Sequence, residues 1–142
     1  MARQGAAPRL SSDLYGDALL MSGNARGGDD VLVSGTGNDQ MWGDAKFING
    51  VAASPTADTG TAQTGADTFV FAPGSGSDSV FDFRQSDHDR IDVSAYGFHS
   101  LAEMSISSTG ADTRIAFDPT NNLTLVGRSD PGVLRPSDFI FA

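Results

Sequence analysis

Apolar residues in the first half of the chain stand alone, each fenced by small and polar neighbours. From residue 25 they recur every nine positions. Leu32 and Met41 hold one phase, Gly28 and Gly37 another, Asp30 and Asp39 a third, so Ala25–Val33 and Ser34–Trp42 are two copies of one unit. Two more units follow. Ala62–Val70 puts Gly65, Asp67 and Phe69 in the same places, and Pro73–Phe81 does so with Gly76, Asp78 and Val80. One apolar residue between two polar flanks is too little for a helical face; it fits a strand of about three residues with one inward side chain. The glycines and the aspartate before it mark a turn. The pattern therefore predicts short strands and tight turns, wound so that Leu32, Met41, Phe69 and Val80 share an interior.

A longer repeat overlies the short one. Gly16–Ala25 and Gly43–Ala52 both open Gly-Asp-Ala and share a later Gly and Ala, at an offset of three nonapeptides. Residues 53–64 are small and polar and break the period. Asp39 and Asp67 stand farther apart than two units allow, by ten positions. That surplus predicts an excursion of about ten residues, looped out somewhere in 46–61. After Phe81 the character changes: 13 of the 17 glycines lie at or before Gly76, and eight of the nine phenylalanines lie after residue 60. The β-prone runs Thr68–Phe71, Ser79–Phe83, Arg90–Val93, Met104–Ser107, Thr113–Phe117, Leu123–Val126 and Phe139–Phe141 are separated by turn signals. Only Phe98–Met104 fits a helical turn or two. The fold class expected is all-β: a short parallel β-roll (a β-solenoid) of nonapeptide repeats, closed by a β-rich C-terminal cap. Residues 1–12 are expected to be poorly ordered, 13–83 to form the roll with its insert, and 84–142 to form the cap.

Charge then narrows the chemistry. The net charge is −9, and Asp supplies 17 of the 18 acids, Glu103 being the exception. Acid carried as Asp beside glycine points to oxygen-rich turns rather than helical surfaces. Glycine lets a turn bend until its carbonyls face one point, and Asp adds a hard carboxylate. Calcium takes six to eight such oxygens at about 2.3–2.6 Å. The candidate metal-ligating positions are Gly28, Asp30, Gly35, Gly37, Asp39, Gly43, Asp44, Gly65, Asp67, Gly76 and Asp78. With two nonapeptides to a turn, every second loop would stack on the same side. Asp30 would then face Gly43-Asp44, with Asp78 following on that side, and Asp39 would face Asp67. Roughly two to four ions are expected. Folding should be coupled to them, because stacked carboxylates repel and three-residue strands are too short to hold alone. The acidic balance argues against nucleic acid, anionic membranes and polyanionic polysaccharide as partners. The chain has no Cys, so disulfides and thiolate metal sites are excluded. No apolar run is long enough to span a bilayer, so no membrane insertion is expected, and Met1–Leu10 lacks the apolar stretch of a secretory leader.

The strings Gly65-Ala66-Asp67-Thr68-Phe69-Val70-Phe71, Asp82-Phe83, Asp89-Arg90-Ile91-Asp92-Val93-Ser94-Ala95 and Ser137-Asp138-Phe139-Ile140-Phe141-Ala142 complete a resemblance. Over residues 14–142 the chain resembles the RTX, or hemolysin-type, calcium-binding repeat proteins with the C-terminal region of serralysin-type proteases. It departs from them where Ala25-Arg26 replaces Gly-Gly and where Gln63 replaces Gly. The resemblance implies a secreted, extracellular protein of a Gram-negative bacterium. It implies export by type I (ABC) secretion machinery that reads an uncleaved C-terminal signal, Asp138 followed by Phe139–Ala142. Folding would then await extracellular calcium.

No enzyme is expected. There is no HExxH, no GxSxG, and the two histidines, His88 and His99, suit surface or packing roles. Asp87–Asp92 lacks the Gly and Glu of an EF-hand loop, and Ile91 sits where an oxygen ligand is needed. The alternative function is a calcium-stabilised binding or adhesion module whose insert or cap meets a glycan or protein.

Overall fold

A computed structural model of the chain describes residues 11–55, 60 and 62–142. The expected disorder of residues 1–10, and positions 56–59 and 61 of the expected excursion, lie outside the described residues. Among the described residues there are strands and single 3-10 turns and no α-helix, so the chain is all-β. No helix there is long and apolar enough to cross a membrane.

Three sheets carry the strands. The first runs β1 (Asp13–Tyr15), β4 (Gln40–Trp42), β8 (Ser77–Val80), β12 (Asn122–Leu125), β11 (Thr113–Ala116) and β10 (Ser105–Ser108). The second runs β13 (Phe139–Ile140), β9 (Arg90–Asp92), β7 (Thr68–Val70) and β3 (Val31–Val33). The third holds β2 (Ala18–Met21), β5 (Ala45–Ile48) and β6 (Val51–Ala52). The chain visits the sheets in rotation: β1, β2, β3, then β4, β5, β7. Pairs made across these visits are parallel, whereas β5–β6, β10–β11 and β11–β12 are antiparallel. The first and third sheets are thus mixed, where a uniformly parallel roll was expected.

The length of one circuit differs from expectation. Leu14 pairs with Met41 and Ala18 with Ala45, so one circuit takes three nonapeptides, not two. The cause is the Gly-Asp-Ala segments. Ala18–Met21 and Ala45–Ile48 carry enough apolar side chains to form strands of their own, which puts the third sheet between β1 and β3 and between β4 and β7; no strand of it stands between the paired β7 and β9. The excursion then accounts for the next pairing. Leu32 pairs with Phe69, one such circuit plus the surplus. Part of the surplus is a hairpin, β5–β6, whose Asn49-Gly50 loop has φ of 52° and 77°. Both residues sit in the left-handed region that a two-residue I′ turn demands.

The apolar residue of each nonapeptide points inward. Met41, Phe69 and Val80 are fully buried and Leu32 nearly so, in one cluster with Phe71, Phe83 and Ile91. Burying each such side chain contributes roughly 1.5–3 kcal/mol. The antiparallel β10–β12 continue this core through Ile115, Leu123 and Leu125. Leu101–Glu103 is a 3-10 turn with a Ser100/Glu103 capping box, where the short helical segment was expected. Within the first sheet, Tyr15 of β1 stacks on Trp42 of β4, and Trp42 on Phe81, at 5.3 and 4.6 Å between centroids, with the Lys46 ammonium 4.9 Å from the Trp42 ring.

Candidate metal centre

Asp30, Asp67 and Asp89 each stand immediately before a strand of the second sheet: β3, β7 and β9. In a strand, positions two apart share a side. The aspartate therefore points the same way as Leu32, Phe69 or Ile91, inward. Asp67 and Asp89 are almost completely buried and Asp30 is half-buried. The polar groups there are spent on a ladder. Asp67 Oδ1 accepts the Asp30 N–H at 3.0 Å, and Asp89 Oδ1 accepts the Asp67 N–H at 2.8 Å. A second column repeats it before the first sheet. Asp78 Oδ1 accepts the Asp39 N–H at 2.8 Å, and Asp39 Oδ1 accepts the Ser12 N–H at 2.9 Å. A third set sits at the Gly43-Asp44 turn. Asp82 accepts the N–H groups of Gly43 and Asp44 at 2.7 and 3.1 Å, and Asp44 Oδ1 accepts the Gly65 N–H at 2.8 Å.

This ladder corrects the expected pairing. Asp39 does not face Asp67. They belong to different sheets, with Asp39 on Asp78 and Asp67 on Asp30, because the strands of the third sheet lengthen the path from Asp30 to Asp67 and from Asp39 to Asp78 beyond two nonapeptides. The expected approach of Asp30 to Gly43-Asp44 does occur. A Cβ added at Gly16 would lie 1.8 Å from the Gly43 carbonyl oxygen and 2.7 Å from Asp30 Oδ2. One added at Gly43 would lie 2.2 Å from Asp67 Oδ2. Asp30, Gly43, Asp44, Gly65 and Asp67 therefore gather in one region, and Asp39, Asp78, Gly37 and Gly76 in another. Gly76 (φ 90°) packs on the Gly37 carbonyl. Gly28 and Gly35 are exposed; Gly28 gives its N–H to Asp17 Oδ1 at 2.9 Å, and nothing lies within 4 Å of a Cβ at Gly35.

Asp39, Asp44, Asp67 and Asp78 each use one carboxylate oxygen in these backbone contacts and leave the other, whereas Asp82 and Asp89 use both. In the Asp39/Asp78 column the spare oxygens share the Ser34 hydroxyl, 3.2 Å from Asp39 and 2.8 Å from Asp78. In the other region they find nothing: Asp30 Oδ2, Asp44 Oδ2 and Asp67 Oδ2 are buried without a hydrogen-bond partner. Burial pushes the Asp44 carboxyl up to about 7 and the Asp67 and Asp89 carboxyls to about 8, with their neighbours' negative charge adding to the rise. Asp78 rises less, to about 6, because burial is offset by the Asp39 N–H and the Ser34 hydroxyl. Burial also raises Asp82.

These orphaned oxygens fit a hard cation. Asp30, Asp44 and Asp67 would hold it, together with the Gly43 carbonyl, and calcium would supply the missing positive charge. Among the described residues no group of three His, Cys, Asp or Glu side chains converges closely enough to hold a metal ion. Backbone carbonyls and water would have to complete the shell, as calcium allows.

Sequence reasoning missed Asp82 and Asp89 as rungs because they lie outside the glycine-rich units. A shorter signal finds Asp89: an aspartate two residues before a buried apolar one, as in Asp30-x-Leu32, Asp39-x-Met41, Asp67-x-Phe69, Asp78-x-Val80 and Asp89-x-Ile91. The chain matches no family model and no curated protein.

Proposed function

We propose that the chain is a calcium-binding module of RTX type, in which residues 13–92 wind as a short three-sided β-roll around bound calcium and residues 93–142 close its end. The observation that carries this reading is the set of buried, unpartnered oxygens Asp30 Oδ2, Asp44 Oδ2 and Asp67 Oδ2. Three carboxylate oxygens removed from water without donors are costly unless neutralised. A calcium ion neutralises them, and in doing so joins turns that are distant in sequence. Under this reading the cytosolic chain is loose and calcium outside the cell closes it. The terminal segment Ser137–Ala142 is the export signal, and no catalytic step belongs to the module.

Isothermal titration of the metal-free protein with calcium, alongside far-UV circular dichroism, tests the reading. It expects saturable heat, with roughly two to four ions bound, and a gain of β signal on binding. A spectrum unchanged by calcium and the absence of binding heat would sink it.

A further inference from the structure

A cavity of about 240 Å3 opens in the second half, between the 3-10 turn Gln85–Asp87, the start of β9 and the 3-10 turn Pro136–Asp138. Its two carboxylates are already satisfied. Asp138 is buried; its Oδ2 accepts from the Arg135 N–H at 2.8 Å and from Gln85 Nε2 at 2.6 Å, and its Oδ1 lies 3.6 Å from the Arg135 guanidinium. Asp89 accepts from the Asp67 and Arg84 N–H groups, both at 2.8 Å. Gln85 is fixed as well: its Oε1 accepts from Arg128 at 2.8 Å and its Nε2 donates to the Val133 carbonyl at 2.9 Å.

The rest of the lining is donors. The Arg90 guanidinium, the His88 ring and the Ser137 hydroxyl border the cavity, all on exposed residues, and none is engaged with another described residue. His88 is held at φ 66°, a left-handed conformation that a side chain rarely adopts and that tends to mark functional turns. The chain carries −9 overall, yet two of its nine Lys and Arg, Arg90 and Arg135, line this one cavity beside Asp89 and Asp138.

We propose that the cavity binds a small oxyanion group, a carboxylate or a sulfate- or phosphate-type head, clasped by Arg90 and Arg135 with His88 and Ser137 as further donors. Guanidinium forks match the oxygens of such groups, and charge-assisted hydrogen bonds are about twice as strong as neutral ones. The two buried aspartates spend their oxygens on donors of the protein itself, which leaves the Arg90 guanidinium without a carboxylate partner among the described residues. The site stands apart from the calcium-binding reading: none of Arg90, Arg135, His88 and Ser137 belongs to the orphaned carboxylate set.

The test is a two-dimensional NMR titration of the calcium-loaded full chain with sodium sulfate, sodium acetate and sodium methyl sulfate, each against sodium chloride at matched ionic strength. The expected result is saturable shifts confined to residues around His88, Arg90 and Ser137, at a dissociation constant on the order of millimolar. Saturation by sulfate and by methyl sulfate alike marks a site open to an esterified head on a larger ligand; saturation by sulfate alone marks one for the free ion. Saturation by acetate alone marks a carboxylate site. Each supports the proposal. Arg90→Gln should weaken binding about tenfold while leaving the denaturation midpoint in place, since the Arg90 side chain holds nothing in the fold. Arg114→Gln, at an exposed position of β11, should change neither. Shifts that rise without saturating, or equal weakening by Arg90→Gln and Arg114→Gln, would overturn the proposal.

Discussion

Gly65 shares with Gly16 the closest approach to a neighbouring backbone among the described glycines. A Cβ there would lie 1.8 Å from the Gly28 carbonyl oxygen and 2.6 Å from its carbon, both backbone atoms that cannot rotate away. Ordinary carbon–oxygen contact begins near about 3.3 Å, so Gly65→Ala must part the two turns by roughly 1.5 Å. That opening strains the rungs beside it: Gly65 N–H to Asp44 at 2.8 Å, Asp30 N–H to Asp67 at 3.0 Å, and Thr68 N–H to the Asp30 carbonyl at 2.8 Å. Hydrogen bonds to charged groups contribute about 1.5–3 kcal/mol each and neutral ones about 1. Partial loss of three, with some relaxation, gives a destabilisation of about 2–4 kcal/mol, a factor of about 30 to 1,000 in the folding constant. Gly35→Ala is the control. It occupies the same kind of turn, its φ is not positive, and it meets nothing within 4 Å. Its loss of unfolded-state entropy should add about 0.4–1 kcal/mol of stability. Urea denaturation of the calcium-loaded proteins separates the two, followed by fluorescence of Trp42, the single tryptophan, which is 3% exposed and stacked between Tyr15 and Phe81. Equal midpoints for Gly65→Ala and Gly35→Ala would refute the stacking of the Gly28 and Gly65 turns.

Asp67→Asn keeps an acceptor for the Asp30 N–H but removes the buried charge. It should stabilise the calcium-free fold near neutral pH and weaken calcium binding about tenfold or more, read by calorimetry; unchanged affinity would remove Asp67 from the ion site. The raised carboxyls set a pH dependence for the calcium-free chain. Asp44, Asp67, Asp78 and Asp89 hold their protons up to about 6–8 when folded, against 3.8 as the ordinary value. The folded state thus binds protons more tightly, so stability rises as pH falls from about 8 toward about 4 and is lost as pH climbs through 6–8. Circular dichroism of metal-stripped protein across that range checks it, and a calcium-free fold that loosens on acidification to pH 5 contradicts it. Deleting residues 137–142 should abolish export while calcium is still bound, because Asp30, Asp44 and Asp67 precede the cap. Export of the truncated chain at the full-length level, measured in culture medium, would remove the signal from this segment.

Much of this fold is legible in the chain. The inward positions Leu32, Met41, Phe69 and Val80 follow directly from the nine-residue period, and the later β-prone runs coincide with β7 to β13. Circuit length is harder to read because the nonapeptide is the louder repeat. The quieter one, Gly-Asp-Ala recurring after three nonapeptides, is the repeat that stacks. A period in sequence reports where turns recur along the chain; it does not report how many sides the chain goes round before it meets itself. That depends on whether the segments between turns can pair, and Ala18–Met21 and Ala45–Ile48 can. The hairpin at Asn49-Gly50 is written in a two-residue loop signal, which the looser excursion around it obscures. The rungs at Asp82 and Asp89 are hidden for a different reason: once glycine is gone, an aspartate before a strand looks like any turn residue, and only the partner strand reveals that it is buried.

The ladder also bears on how the buried aspartates could be neutralised. A buried aspartate can be neutralised by a proton, by a neighbouring basic side chain or by an ion. Among the described residues no Lys or Arg forms an ion pair with Asp30, Asp44 or Asp67. Arg90 and Arg135 border a cavity in the second half, Lys46 lies over Trp42 and 3.7 Å from Asp13, and among the raised buried aspartates it is Asp82 that a nearby guanidinium, Arg84, holds down. At Asp44 and Asp67 the neighbouring charges are further aspartates, and they raise the carboxyls. Hydrogen bonds between successive circuits satisfy one oxygen of each, which fixes the carboxylate in place without discharging it. The arrangement is therefore held in register by its backbone and left short of positive charge by its side chains. A chain so built responds to protons or to a divalent cation. As pH climbs through 6–8 and the carboxyls give up their protons, the proposed calcium ion would take over their neutralisation and hold the turns closed.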